Sequence, residues 1–171
     1  MDVKPGYVPS AGELTAHVRT GVDGAVRWLD RTVASPAGDP ELWDQSSFYA
    51  RMMLMRSLER GELLGWALQR DSLAEPDADR GVRIRQITSY WSEARPGLHE
   101  ALQVLRRAAD LDPHTRSARD AMNDARFQLD EARGWLASMA DGLAANSRTV
   151  IEPDRGREMP RPDEAYGLDR L

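Results

Sequence analysis

Two heptad patterns placed back to back around Leu111-Asp112-Pro113 constrain this chain more than any other feature. Before the break, apolar residues fall at Ile84, Ile87, Trp91, Ala94, Leu98, Ala101, Leu105 and Ala108. After it they fall at Ala118, Met122, Ala125, Leu129, Ala132, Leu136, Met139 and Leu143. Both runs alternate steps of three and four residues, the spacing that holds one seam of a helix against a neighbour. A fold-back at the break sets Leu105 against Ala118, Ala101 against Met122, Leu98 against Ala125, Ala94 against Leu129 and Trp91 against Ala132. Each layer pairs a large side chain with a small one, so the two backbones can approach closely and still fill the space between them. The pattern predicts a long antiparallel helical hairpin within an all-α four-helix bundle. It carries no chemistry of its own.

At 171 residues the chain is long enough for a core that needs neither disulfides nor a metal. The net charge of −5 argues against the whole molecule acting as a sink for nucleic acid or anionic membrane. Cysteine is absent, which excludes disulfide frameworks, thiol catalysis and thiolate metal sites. The opening residues lack a basic segment followed by an apolar run, and no apolar stretch approaches a membrane span. A cytoplasmic location without membrane contact is the expectation.

Residues 1–10 read as an extended arm, 11–147 as the helical bundle, and 148–171 as a charged, Pro- and Gly-containing flexible tail. Ser10 and Glu13 have the form of a capping box for a first helix. Gly21 and Gly24 weaken that helix. The stretch Ser35 to Pro40 is a linker, and Asp39 with Pro40 behind it suits the start of a second helix near 40–71. That helix is apolar all round: Met52-Met53-Leu54-Met55 covers a full turn, and Trp43, Phe48, Tyr49, Leu63 and Trp66 add to it. Such a helix is either central or covered by another chain. Asp71 to Arg80 reads as an acidic loop, with Asp77 or Asp79 capping the third helix. Pro96 falls inside that helix, yet the heptad phase runs through it, so the helix is expected to continue, kinked. The fourth helix is expected from about Pro113 to Ala145.

Chemistry-bearing residues are sparse. A di-metal helical bundle needs Glu-x-x-His pairs on facing helices, and the spacings around His17 and His99 supply none. No metal or other cofactor is expected. The five tryptophans, spread over all four helices, read as core plugs. Arg119, Arg126 and Arg133 recur every seven residues on one flank of the fourth helix, where a single-sign ridge could track phosphates. Several of these charges have acidic neighbours one helical turn away, so a solvated, salt-laced face is the first reading.

Arg107 and His114, separated by six residues, resemble the Arg-x(4–6)-His signature of the HEPN superfamily of all-helical ribonucleases. That resemblance implies RNA cleavage by Arg107 and His114 meeting across a dimer interface. In this chain Ala108 follows the arginine where the family tends to place a polar residue, and Pro113 precedes the histidine.

The first expectation for function is a non-catalytic interaction subunit. It would bind itself or a larger protein assembly through Met52, Met53 and Met55 of the second helix and through Phe127 and Trp135 on the fourth. The alternatives are the Arg107–His114 ribonuclease and a nucleic-acid accessory subunit using Arg119, Arg126 and Arg133.

Overall fold

The computed structural model describes residues 8–35 and 39–148. They form four helices: α1 (Ala11–Ala34), α2 (Pro40–Ala74), α3 (Ala78–Ala108) and α4 (Arg116–Arg148). The expected arm over residues 1–7 and tail over 149–171 lie outside the described residues.

Local chemistry sets the helix starts. Ser10 Oγ accepts the Glu13 N–H, and the Glu13 carboxylate accepts the Ser10 N–H, closing the expected capping box. Asp39 accepts the Leu42 N–H ahead of Pro40 at the first helical position. Asp77 accepts from Asp79 and Arg80 at the head of α3. Each such cap is worth about 0.5–2 kcal/mol.

Two boundaries differ from expectation. The acidic loop shrinks to Glu75, Pro76 and Asp77, because Asp71 to Ala74 continue α2 until Pro76 forces Glu75 into extended backbone (ψ 116°). α4 begins at Arg116 rather than Pro113. The Asp112 carboxylate accepts the His114 N–H and its carbonyl accepts the Thr115 N–H, which folds 112–115 into a turn. Thr115 Oγ1 then accepts the Ala118 N–H and caps the helix. α3 runs unbroken through Pro96, as expected.

Each helix packs on its two neighbours in a ring: α1 on α2, α2 on α3, α3 on α4, and α4 back on α1. The diagonal pairs α1/α3 and α2/α4 bring no Cα atoms within 8 Å. Short connections make neighbours antiparallel. Gly24 accordingly lies beside Met53, Gly97 beside Gln128, and Asp23 beside Arg133.

Every residue of the two heptad runs is buried except Leu143, which is half-buried against the core. Within this hairpin some residues also meet other partners. The Trp91 ring packs against Gly61 and Gly65 of α2. Ile87 packs where a Gly142 side chain would be, with Cγ1 2.9 Å from that Cβ position. Gly97, having no side chain, lets α4 come close: a Cβ there would lie 3.3 Å from the Gln128 carbonyl.

The glycines expected to weaken α1 are sites of close approach. A Cβ at Gly21 would collide with Ser57 Oγ, and one at Gly24 would sit 2.5 Å from the Met53 sulfur. Ser57 Oγ, fixed by donating to the Val18 carbonyl at 3.3 Å, ties α2 to α1 at this crossing.

Candidate partner-binding surface

α2 carries two apolar faces, and only one is used inside the bundle. Trp43, Ser46, Ser47, Ala50, Leu54, Ser57, Gly61, Leu64 and Leu68 are buried. At about 100° per residue, Phe48, Met52, Met55, Trp66 and Leu73 fall on the opposite side, in line along the helix. They occupy a heptad-spaced row whose remaining positions are Glu59, Glu62 and Gln69, and Leu63 flanks it. Trp66 is 75% exposed, Leu73 82%, Phe48 51% and Leu63 50%. Trp66 and Phe48 alone expose roughly 250 Å², given ~150–250 Å² for a whole aromatic side chain. The leucines and Met55 bring the row to the size of patch that marks interaction sites, a few hundred Å².

The row extends around one side. Tyr49 stacks on Trp28 of α1 with ring centroids 4.9 Å apart, Phe48 meets Tyr49 edge-on, and the Arg31 guanidinium lies 4.9 Å over the Trp28 ring. On the other side the row is braced by Arg95 of α3, which holds Glu62 at 2.7 Å.

The three methionines divide. Met55 is exposed and Met52 half-buried on the outer face, whereas the Met53 sulfur packs against Gly24 in the α1–α2 interface. Met53 is half-buried at that interface. Phe127 is 61% exposed on α4. Trp135 is partly covered by stacking on Tyr90, 6.2 Å between centroids. Because α2 and α4 occupy opposite corners, Phe127 does not share a surface with the α2 row. Sequence reasoning expected Trp66 to be a core plug. Counting heptad steps from Phe48 along α2 would have found it in the second stripe.

Both catalytic candidates are exposed. Arg107 is exposed at the end of α3 and pairs with Glu100 at 3.3 Å. His114 is exposed in the turn before α4 rather than in its first turn. His17, expected at the core edge, is exposed, as is His99. Among the described residues no group of three His, Asp or Glu side chains is placed to hold a metal ion.

Two of the three ridge arginines are engaged in ion pairs. Arg126 bonds both Asp30 of α1 and Asp130. Its hydrogen bond to Asp30, more than its electrostatic attraction to Asp130, holds the guanidinium pKa above its ordinary value. Arg133 reaches Asp23 of α1 at 2.8 Å and Asp130 at 3.3 Å. Two of the three ridge cations thus stitch α4 to α1, which leaves Arg119 without a continuous basic track.

No helix among the described residues is long and apolar enough to cross a membrane. No protein-family model, curated protein or solved structure matches the chain.

Proposed function

We propose that this chain is a non-catalytic helical subunit that binds protein, a second copy of itself or a larger assembly, through the outer face of α2. The observation that carries the reading is the row of exposed Phe48, Met55, Trp66 and Leu73 with half-buried Met52, lying opposite the buried face of the same helix. Heptad spacing suits a helix as the docking element, since knobs from one helix enter holes on the other. Glu59 interrupts the row near its middle and favours a partner that offers a basic or amide side chain there. Phe127 on α4 supplies a separate contact point at the opposite corner.

The test is sedimentation velocity on the purified chain, alone and co-expressed with proteins of its native host. The expected result is a dimer, or a defined complex, that Trp66→Glu dissolves while the circular dichroism of the bundle is unchanged. Phe127→Asp should weaken that species separately, through the contact on α4. A chain that stays monomeric and uncomplexed under both conditions, with Trp66→Glu indistinguishable from wild type, removes the proposal.

A further inference from the structure

The outer row of α2 is complementary to itself when turned end for end. Phe48 and Trp66 are separated by five full turns at ~3.6 residues per turn, so both stand on the midline of the exposed face. With a two-fold axis level with Ser57, an antiparallel second copy sets Phe48 against Trp66, Met52 against Glu62 and Met55 against Glu59. Glu62 is already neutralised by Arg95 of its own chain. Glu59 is exposed in the seam and makes no ion pair among the described residues; the same is true of Arg56, on the flank one turn away. In this register each Arg56 comes beside Glu59 of the other copy. Moving the copies by one heptad sets Glu59 against Glu62 in one direction and Phe48 against Glu59 in the other. A parallel pair sets Glu59 against Glu59. Like charges facing each other, or a carboxylate under an aromatic ring, penalise those arrangements. Area is also sufficient. The row from Glu41 to Leu73, at 1.5 Å per residue and about 10 Å wide, presents roughly 500 Å². Two copies bury about 1,000 Å², the lower bound for a specific interface.

We propose that the occupant of the α2 face is a second copy of this chain, docked antiparallel. Phe48 of each copy packs on Trp66 of the other, and Arg56 pairs with Glu59 across the two-fold axis. The proposal rests on the reading of α2 as a protein-binding face and names its partner. The interface is isologous, so every contact occurs twice and the two charge pairs close the dimer without leaving a free face for a third chain. Its modest area makes the dimer dissociate on dilution.

Two measurements on the full chain test it. Glu59→Arg places two cations at the axis and Arg56→Glu two anions; both positions are exposed, so the bundle should fold in each variant. In sedimentation velocity each variant alone should dimerise about tenfold or more weakly than wild type, because like charges then face each other. An equimolar mixture should recover the dimer. Orientation and register are read by electron–electron distance measurement. The chain has no cysteine, so Arg70→Cys takes a single nitroxide at an exposed site. The proposed register separates the two labels by ~39 Å along the helix axis, whereas the heptad-shifted registers give ~28 or ~50 Å and a parallel pair ~10 Å. Any of those other distances overturns the proposal, as does a dimer that ignores both charge variants. A chain that is monomeric alone yet enters a complex with another protein that Trp66→Glu dissolves overturns the second copy and leaves the α2 binding face standing. A monomer with no such complex removes both.

Discussion

The benzo ring of Trp91 on α3 lies across Gly61 on α2, where no side chain has room. This pairing of the bulkiest residue with the smallest brings α2 and α3 together along their middle. Gly61→Ala should therefore destabilise the bundle by about 1–3 kcal/mol through overpacking, despite the ~1 kcal/mol that alanine gains over glycine in a helix. Gly134→Ala is the control. Nothing lies within 4 Å of that position, so the propensity gain should appear undiminished, about 0.8–1 kcal/mol of added stability. Urea denaturation midpoints of the two variants should move in opposite directions.

Ala125 and Ala132 are fully or almost fully buried in the α3–α4 hairpin. Leucine at either site has no spare volume to enter, and the expected cost is about 1–3 kcal/mol. Thermal and urea unfolding would report it. Unchanged midpoints for both would mean that the hairpin packs differently.

His114 offers the sharpest contrast with the ribonuclease reading. Its side chain is exposed in the turn before α4, and only its backbone N–H is engaged, with Asp112. His114→Ala should cost no more than about 0.5 kcal/mol and leave partner binding intact. RNA cleavage by the wild type that disappears in this variant would establish the enzyme instead, since proton transfer would depend on the imidazole.

The turn itself depends on the residues around His114. Thr115→Ala removes the hydroxyl that accepts the Ala118 N–H at 3.2 Å, and Asp112→Ala removes the carboxylate that accepts from His114. The first change should lower stability by about 1 kcal/mol, as loss of a helix N-cap does. Hydrogen exchange should show the added fraying in the first turn of α4 rather than at its far end.

The ion pairs between α1 and α4 are half-exposed, and their contribution should be small. A double-mutant cycle on Asp23 and Arg133, which sit 2.8 Å apart, should give a coupling below about 1 kcal/mol. That coupling should shrink as salt is added, because exposed charges are screened.

The helices, the caps of the first three and the buried seam of α3 and α4 were legible in the sequence, because each depends on residues a few positions apart. Ser10 with Glu13, Asp39 with Pro40, and the three–four alternation from Ile84 to Leu143 are local signals. They hold in any bundle that buries that stripe. The sequence also showed that α2 has apolar residues on every side. Which side turns inward was decided only by the tertiary structure. The face bearing Ser46, Ser47, Ala50, Ser57 and Gly61 is small, so neighbouring helices can close on it, with Met53 filling the space at Gly24 and Trp91 the space at Gly61. Phe48, Met52, Met55 and Trp66 are left to face outward. The same holds for charge. Nothing in the spacing of Arg126 and Arg133 reveals Asp30 and Asp23, more than ninety residues away in sequence; the packing of α1 on α4 brings them together.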